Sequence, residues 1–482
     1  MPSFKRSMLS ATVAAVAVSC PLALCSAQHP KIPATPRVTV DAGTLEGRVD
    51  TSRMLVFHGI PYAAPPVGDL RWRAPQVPAR WKGVRSATEL GHNCMQLQPY
   101  PDIDPFAAGM SEDCLYLNVT TSSTAGRRPV MVWIHGGGFF AGFGGEQRHD
   151  GAVLARKGAV VVTVNYRLGP FGFLAHPSLS GGNYGLLDQI AALDWVRRNI
   201  ARFGGDPARV TIFGESAGAM SVGALLGSPL AKGLFRNAIL ESGTASGPFV
   251  GHLDSAHAVG VRIASALGVS GSDASSASRL RALSADSLLA ATARVAGNPA
   301  RPILWPTIDG TVLSQPVDSA IVRGAVHVVP VIIGSNAGES QSVFGAPARA
   351  LARLVASRGT RAYLYQFARV ADDSINAKRG AYHSAEITFV FGRSRPLQAS
   401  AGHTAYDATL ADAMSDYWLA FATSGDPNGA PAKGKWPRWP AYERTGDAYI
   451  ELGPHIVART ALMRALYDSL DAVARTRGEI RP

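Results

Sequence analysis

The chain has 482 residues, of which 46% are hydrophobic and 17% charged, and its formal net charge at pH 7 is +12. These values are typical of a folded globular protein, and the lack of low-complexity blocks or fixed-period repeats in the sequence excludes a disordered chain or a repeat array. The arginines are scattered and no nucleic-acid motif is present. A solvated basic surface is therefore favoured over binding to nucleic acid or to membranes.

The first residues have the pattern of a secretory signal peptide. A basic start is followed by an apolar run at residues 8–24, and the small residues Cys25 and Ala27 stand at the −3 and −1 positions of a cleavage site. This pattern predicts that residues 1–27 are removed on export, so that a single domain, residues 28–482, is secreted or periplasmic. The alternatives are an N-terminal membrane anchor and a lipoprotein. No later stretch has the length and uniform apolarity of a membrane span.

Export also determines which of the four cysteines remain and whether they can form a disulfide. Cys20 and Cys25 leave with the signal peptide, whereas Cys94 and Cys114 remain as an even pair in an oxidising compartment. A disulfide between them closes a loop of about 20 residues and contributes roughly 3 kcal/mol in the chain-entropy model. The alternative is a pair of buried free thiols.

Strand-like and helix-like segments then alternate along the chain. Apolar runs and alternating stretches predict strands at residues 38–56 (several short ones), 115–120, 129–134, 159–165, 210–213, 235–240 and 328–333. Helical spacing of apolar residues predicts helices at residues 183–203 and 217–226, and a helical cap at residues 250–304. This order predicts an α/β fold with a large, mostly parallel central sheet flanked by helices and with helical cap insertions.

The sequence Gly-Glu-Ser-Ala-Gly at residues 214–218 lies between a predicted buried strand and a predicted helix. This is the context that a G-x-S-x-G nucleophile motif requires. A serine hydroxyl is a weak nucleophile, and a sharp strand-to-helix turn holds Ser216 where a base and a substrate both reach it. The helix start also places the Ala217 N–H beside the attacked carbonyl. The alternative is a serine that only shapes a turn.

Three glycines at residues 136–138 follow the strand predicted at residues 129–134. Backbone without side chains approaches a ligand closely, so the N–H groups of Gly137 and Gly138 are predicted to form, with Ala217, an oxyanion hole for a tetrahedral intermediate. One such donor contributes about 2.7–4 kcal/mol to transition-state stabilisation. The alternative is a flexible glycine loop.

Four blocks of the sequence together resemble one family, the type-B carboxylesterases, which include the cholinesterases and the bacterial para-nitrobenzyl esterases. Residues 203–218 resemble the serine signature of the family, and residues 112–119 resemble its second signature. Residues 57–63 and 165–169 are similar to further family blocks. The resemblance extends from about residue 38 to about residue 439 and implies the α/β-hydrolase fold.

The resemblance also implies the partners of Ser216. The family acid is a glutamate in a G-x-x-x-x-E pattern after a late strand, which residues 334–339 fit, so the acid is Glu339. The family histidine lies in H-x-x-E-[IL]-x-[FY]-x-F, which residues 383–391 fit, so the base is His383. His383 is then expected to accept the Ser216 proton, while Glu339 holds the other ring N–H.

Other polar residues compete for these roles. His135 is the next candidate base, although it ends the strand before the glycines, and Asp309 is the rival acid, although its surroundings favour a structural turn. Glu215 and Ser242 are interpreted either as groups near the triad or as buried structural residues. Glu386 is expected to pair with a nearby cation.

By the same resemblance, Cys94 and Cys114 match the first disulfide of the family, whose loop flanks the active-site gorge. In cholinesterases this loop carries a tryptophan that binds the choline cation, whereas here the loop has none. A choline ester is therefore not the expected substrate.

The predicted function is hydrolysis of a small-molecule carboxylic ester through an acyl-enzyme, by a monomer or weak homodimer. No cofactor and no metal is implied, because the histidines and carboxylates lack ligand spacing along the sequence. The alternatives are hydrolysis of bulkier esters of the feruloyl type, of lactones or of amides by the same residues, and a non-catalytic cholinesterase-like binding protein. Activity is expected to rise through roughly pH 6–7 as His383 loses its proton.

Overall fold

The computed structural model describes residues 35–97, 108–245, 250–298, 301–326, 328–372, 374–393 and 404–476. The predicted signal peptide, residues 1–27, lies outside the described residues. No helix in the described part of the chain combines the length and the apolarity that crossing a bilayer requires.

The strands of the described residues form one eleven-stranded sheet, one three-stranded sheet and two two-stranded sheets. The strands are, in chain order, β1 (Arg37–Val40), β2 (Gly43–Glu46), β3 (Arg48–Val49), β4 (Leu55–Pro61), β5 (Val84–Ser86), β6 (Asn93–Cys94), β7 (Met110–Ser111), β8 (Tyr116–Thr121), β9 (Arg128–Ile134), β10 (Val160–Val164), β11 (Gly205–Glu215), β12 (Asn237–Glu241), β13 (Gly251–His252), β14 (Thr307–Ile308), β15 (Val331–Asn336), β16 (Ala362–Phe367), β17 (Tyr449–Leu452) and β18 (Ile456–Arg459). The strand order of the eleven-stranded sheet is β18-β17-β16-β15-β12-β11-β9-β10-β8-β4-β3. Neighbours from β17 to β10 are parallel, and the pairs at both edges are antiparallel. This confirms the predicted large, mostly parallel sheet.

Helices cover both faces of the large sheet, and further helices lie in the predicted cap segment. They are, in chain order, α1 (Ala152–Lys157), α2 (Gly169–Phe173), α3 (Tyr184–Asn199), α4 (Ala217–Gly227), α5 (Leu253–Ser265), α6 (Ala274–Ala282), α7 (Ala285–Ala296), α8 (Val317–Val322), α9 (Ala346–Ser357), α10 (Ser374–Arg379), α11 (Ile387–Val390), α12 (Ala405–Ser424) and α13 (Arg464–Thr476). Helices α5, α6 and α7 occupy the segment predicted as a helical cap.

The central strand β9 shows why its sequence is a continuous apolar run. Val130, Val132 and Ile134 belong to the core that also contains α3 and α4, whereas Met131 and Trp133 belong to the core on the opposite face, which contains α12. Neither face of the strand reaches water, so both sets of alternating side chains must be apolar.

Two predicted elements differ in extent from the observed ones. The predicted helix at residues 183–203 ends as an α-helix at Asn199, and Ile200–Phe203 form a tighter 3-10 turn that stops at the left-handed Gly204. Strand β11 begins at Gly205 rather than at residue 210, because an irregularity in its pairing with β9 separates Gly205 from Val210 and breaks the apolar pattern.

The order of the strands reverses at β9. From β9 the chain enters β10 on one side and later places β11 on the other side. In open parallel sheets, ligands bind beside the carboxyl ends of strands at such a reversal. The glycines at residues 136–138 follow β9, Ser216 follows β11 and Glu339 lies shortly after β15. These predicted site residues therefore lie together at the carboxyl ends of the parallel strands.

Candidate active site

Ser216 occupies the sharp turn between β11 and α4. Its backbone has φ 57° and ψ −122°, a conformation that few residues other than glycine adopt and that surrounding contacts must hold. Its N–H donates to the carbonyl oxygen of Glu241 at 2.9 Å, and its own carbonyl oxygen accepts the N–H of Met220 at 2.9 Å. The adjoining strand and helix therefore fix the turn from which the hydroxyl projects.

Gly214 and Gly218 are glycines because the turn is crowded. A Cβ on Gly214 would lie 2.5 Å from the carbonyl oxygen of Ile134, and a Cβ on Gly218 would collide with the same oxygen. These two positions therefore allow β9, β11 and α4 to converge beneath Ser216.

Ser216, His383 and Glu339 form one hydrogen-bonded chain. The Ser216 hydroxyl oxygen lies 2.9 Å from His383 Nε2, and His383 Nδ1 lies 2.5 Å from Glu339 Oε1. In this geometry the imidazole can take the hydroxyl proton on one nitrogen while the carboxylate holds the N–H of the other. The arrangement is able to activate the serine as a nucleophile.

Two donors hold the second oxygen of Glu339. Oε2 accepts the backbone N–H of Asn336 at 2.8 Å and the Ser242 hydroxyl at 2.9 Å. Ser242 is buried and has a φ of 52°, which is unusual for serine. Of the two interpretations of Ser242, the structure supports a group that contacts the acid.

Glu215, which precedes the serine, is buried, and its Oε1 lies 3.2 Å from His383 Nε2. Burial lowers the pKa of His383, but the nearby carboxylates of Glu215 and Glu339 outweigh burial and raise this pKa above that of a free imidazole. Burial also raises the pKa of Glu215 to about 7. The imidazole thus has a carboxyl group near each ring nitrogen.

Glu241 and Glu386 are further buried glutamates near the carboxyl ends of the parallel strands, where the site lies. The Trp418 indole donates to Glu241 Oε1 at 2.7 Å, and the Asn336 amide donates to Glu386 Oε2 at 2.5 Å. Burial raises the pKa of Glu241, and it raises the pKa of Glu386 to about 8. The expectation that Glu386 pairs with a cation does not hold among the described residues, since its partner is a neutral amide and its burial favours the uncharged form.

The glycine loop after β9 orients two peptide groups. Gly137 and Gly138 have φ values of 98° and 63°. The carbonyl oxygen of Gly136 accepts His135 Nδ1–H at 2.8 Å, and the carbonyl oxygen of Gly137 accepts the N–H of Ala141 at 3.0 Å. The N–H and C=O of a trans peptide point in opposite directions, so the N–H groups of Gly137 and Gly138 point away from these internal partners.

This loop lies against the serine turn. A Cβ on Gly136 would lie 3.2 Å from the Cβ of Ser216. Ala217 begins α4, and the first N–H groups of a helix have no acceptor within the helix. The glycine loop and the start of α4 therefore both adjoin Ser216.

The two rival residues have structural roles. His135 is buried and stacks on Tyr166 with ring centroids 4.5 Å apart, and burial lowers the pKa of His135 to about 4. Its Nδ1–H bonds the Gly136 carbonyl oxygen, whereas the Ser216 hydroxyl contacts His383, so His135 supports the glycine loop. Asp309 Oδ1 accepts the backbone N–H groups of residues 311–313 at 2.8–3.0 Å, which confirms the predicted turn.

The structure contains the predicted disulfide between Cys94 and Cys114, and both cysteines are buried. Two residues after Cys94, the Gln96 amide exchanges two hydrogen bonds with the backbone of Gly142, at 2.8 and 3.0 Å. The start of the disulfide loop is therefore hydrogen-bonded to the segment that follows the glycines at residues 136–138.

Glu215, Glu339 and His383 present ligand atoms within 4.8 Å of one another, a spacing that can also suit a metal ion. Sequence spacing does not reveal this cluster, because its members come from separate segments. Both nitrogens of His383 already face protein partners, and a metal at Nε2 would displace the Ser216 hydroxyl. The arrangement suits proton transfer better than metal binding.

Three further neighbours of the site, Phe344, Gln341 and Tyr467, do not follow from the sequence. The Phe344 ring stacks on the His383 imidazole with centroids 4.8 Å apart and an interplanar angle of 22°. The Gln341 amide bonds the backbone of the loop that carries Glu339, and Tyr467 bonds Gln341. The only sequence signal is that Gln341 and Phe344 closely follow Glu339.

Comparisons with known proteins identify the family of the chain. The profile of the carboxylesterase family matches residues 34–344 and 339–468. Fumonisin B1 esterase of Sphingopyxis macrogoltabida is 36% identical over 467 residues, which cover 84% of this chain and 83% of that protein. Para-nitrobenzyl esterase of Bacillus subtilis is 36% identical over 471 residues, which cover 86% of this chain and 94% of that protein.

Solved structures give the same result. A carboxylesterase of Geobacillus stearothermophilus superposes with a TM-score of 0.79 at 32% identity, covering 90% of this chain and 99% of the other. A para-nitrobenzyl (PNB) esterase structure superposes with a TM-score of 0.79 at 33% identity and the same coverage. The chain therefore belongs to the carboxylesterase family, and it is a carboxylic ester hydrolase of the α/β-hydrolase fold.

Proposed function

We propose that the chain hydrolyses esters through an acyl-enzyme formed on Ser216. His383 Nε2 takes the hydroxyl proton as Ser216 Oγ attacks the ester carbonyl, and Glu339 stabilises the imidazolium that forms. The carbonyl oxygen becomes an oxyanion in the tetrahedral intermediate. Collapse of this intermediate breaks the ester bond, and His383 gives its proton to the departing alcohol.

The N–H groups of Gly137, Gly138 and Ala217 are the proposed donors to the oxyanion. Water then attacks the acyl group, His383 takes the proton of that water, and a second tetrahedral intermediate releases the acid and restores Ser216. Each water consumed yields one alcohol and one acid, so no further reactant is needed.

The main support for this proposal is the hydrogen-bond geometry of the three residues. The distances of 2.9 Å from Ser216 Oγ to His383 Nε2 and of 2.5 Å from His383 Nδ1 to Glu339 Oε1 lie within hydrogen-bond reach. A cholinesterase-like protein that only binds a partner has no need for this proton path, so catalysis is favoured over binding alone.

Removal of the nucleophile tests the proposal. With para-nitrophenyl acetate, we expect Ser216→Ala to lower kcat by roughly 10⁴-fold or more, because the remaining groups bind the substrate but cannot form the acyl-enzyme. Ser278→Ala is the matched control, since its hydroxyl bonds the backbone of a cap helix, and it should retain wild-type kcat. Wild-type turnover by Ser216→Ala would overturn the assignment.

A covalent probe separates the enzyme from a binding protein. A fluorophosphonate should label one serine per wild-type chain, at Ser216, and should label neither Ser216→Ala nor unfolded protein. No labelling of the folded wild-type chain would favour the non-catalytic alternative.

An apolar pocket supports an ester with an apolar group. It lies beside Phe140, two residues after Gly138, and is lined by side chains of α7 and of the loop that follows, among them Leu289, Ala293 and Leu304. Burial of apolar substrate surface here would contribute about 0.8 kcal/mol per methylene. We propose that kcat/KM of para-nitrophenyl esters rises with acyl length until the pocket is filled.

The same assay, applied to a panel of compounds, measures the range of substrates. The Sphingopyxis relative is named for fumonisin B1, so fumonisin B1 belongs in the panel beside a feruloyl ester, a lactone and an amide. Turnover of these compounds above that of simple aliphatic esters would favour the bulkier-substrate alternative.

We further propose that residues 1–27 are a signal peptide, that residues 28–482 form a single exported domain, and that this domain is a monomer or weak homodimer.

A further inference from the structure

The C-terminal helix α13 contacts the loop that carries Glu339 through one turn. This turn, Gln341–Gly345, is π-helical and leads directly into α9. A π-helical turn is wider than an α-helical one and is found frequently at functional sites. Side chains of this turn contact both α13 and the loop at residues 336–339, which we call the acid loop because it carries Glu339.

The Gln341 side chain closes the acid loop. Its Nε2 donates to the carbonyl oxygens of Asn336 at 3.1 Å and of Glu339 at 3.0 Å. The N–H of Asn336 donates in turn to Glu339 Oε2 at 2.8 Å. One amide therefore bonds both ends of the short loop whose carboxylate faces His383.

Tyr467 of α13 fixes the orientation of that amide. Its hydroxyl donates to Gln341 Oε1 at 2.6 Å, and its ring is buried. Burial raises the pKa of Tyr467, so the phenol keeps the proton that it donates. Because Oε1 accepts from Tyr467, Nε2 is the end of the amide that faces the loop. Gly345 leaves room for this contact, since a Cβ there would collide with the Tyr467 hydroxyl.

Buried charge holds α13 against α9. Arg349 of α9 has no exposed surface, and its Nη2 lies 2.7 Å from carboxylate oxygens of Asp468 and Asp471 in α13. The same guanidinium lies 5.3 Å from the centroid of the Tyr467 ring. Loss of one partner of a buried ion pair leaves an uncompensated charge, so this anchor resists displacement of Tyr467.

We infer that Tyr467 and Gln341 are positioning residues, through which the C-terminal helix holds the Glu339 carboxylate against His383 Nδ1. The inference rests on the ester hydrolysis proposed above. Phe344 belongs to the same turn and stacks on the His383 ring, so a displaced turn moves both the acid and the ring that supports the imidazole.

Tyr467→Phe tests this role, because it removes the hydroxyl and keeps the ring beside Arg349. We expect kcat for para-nitrophenyl acetate to fall about three- to tenfold with KM unchanged, since only the alignment of the acid is lost. The acid limb of the pH profile should move to lower pH, because a less closely held Glu339 stabilises the imidazolium less. Gln341→Met should reproduce both effects, and the double variant should add little to either single change.

A further readout separates positioning from general stability. The proton shared by His383 Nδ1 and Glu339 should give a downfield proton resonance in the wild-type protein, and this resonance should shift or broaden in Tyr467→Phe. Tyr406→Phe is the matched control, because its hydroxyl also donates to one acceptor, the Gly453 carbonyl oxygen at 2.8 Å, and it should leave the kinetics and the resonance unchanged. A loss of unfolding free energy with an unmoved pH limb and resonance would overturn the positioning role.

Failure of this inference is distinct from failure of the proposed function. If Ser216→Ala remains active, the proposed function itself is overturned. If Ser216→Ala is inactive while Tyr467→Phe and Gln341→Met keep the wild-type kcat and pH limb, only the positioning role of α13 is overturned.

Discussion

His383 lies between two carboxyl groups, with Glu339 at Nδ1 and Glu215 at Nε2. Both stabilise the imidazolium that forms during proton transfer, but they also make the resting imidazole easier to protonate. An imidazole must be neutral to act as a base. Because the pKa of His383 is raised, we expect the acid limb of activity to lie above the range of pH 6–7 that the sequence alone suggests.

Glu215→Gln should separate these two effects. Removal of the nearby negative charge lowers the pKa of His383, so the base becomes neutral at lower pH and the acid limb of kcat/KM should move to lower pH. At the plateau, kcat should fall, because the imidazolium of the transition state loses one carboxylate. The measurement is a pH profile of para-nitrophenyl acetate hydrolysis.

A surface carboxylate provides the control for this change. Glu451 pairs with Arg459 on the edge strands β17 and β18, and Glu451→Gln should leave the profile unchanged. An acid limb that stays in place or moves to higher pH in Glu215→Gln would show that Glu215 does not act on the charge of His383.

At the scale of elements, the junction of β9, β11 and α4 determines the position of Ser216. The sequence predicts this junction well, because strand, turn, glycines and helix are adjacent in the chain and each leaves a local pattern. The loop that carries Glu339 is different. Its geometry depends on contacts with Gln341 and with Tyr467, which lies more than a hundred residues later, and no local pattern encodes such a contact.

Gly218→Ala should show how closely these elements must converge. The added methyl group would collide with the Ile134 carbonyl oxygen, so α4 must move away from β9 and carry Ser216 with it. We expect a loss of about 1–3 kcal/mol in the free energy of unfolding, together with slower labelling by a fluorophosphonate. Guanidinium unfolding and labelling kinetics measure the two effects.

Gly446→Ala is the matched glycine control. The atoms nearest to a Cβ at this position lie 3.9 Å away, which is ordinary contact, and Gly446 lies outside the junction. Its labelling rate should equal that of the wild type. Equal labelling rates for Gly218→Ala and the wild type would mean that the junction tolerates a wider spacing than the structure indicates.

Across the whole molecule, the sequence predicts those elements that have a local sequence pattern. The buried strands, the glycine loop and the serine turn follow from apolar runs and glycine spacing, and family resemblance adds Glu339 and His383. The sequence leaves open whether Glu215 lies near the triad or is a buried structural residue, because its 3.2 Å approach to His383 depends on how distant segments of the chain pack together. It also misses the early start of β11, where irregular pairing breaks the apolar run.

The cysteines provide a test of the proposed signal peptide. The chain has four cysteines, and the two that the structure describes, Cys94 and Cys114, are joined in a disulfide. The other two, Cys20 and Cys25, lie within the proposed signal peptide. Thiol content therefore reports how the N-terminus is processed.

An exported mature chain should begin at Gln28 and should contain no free thiol, because cleavage removes both early cysteines and the remaining pair is oxidised. Intact-mass analysis of the secreted or periplasmic protein, combined with thiol titration in denaturant, measures both properties. The uncleaved chain, with the disulfide formed, is the reference and should titrate two thiols. A membrane-bound product with two thiols would indicate an uncleaved anchor, and a lipid-modified N-terminal cysteine would indicate a lipoprotein. Either result would overturn the proposed signal peptide.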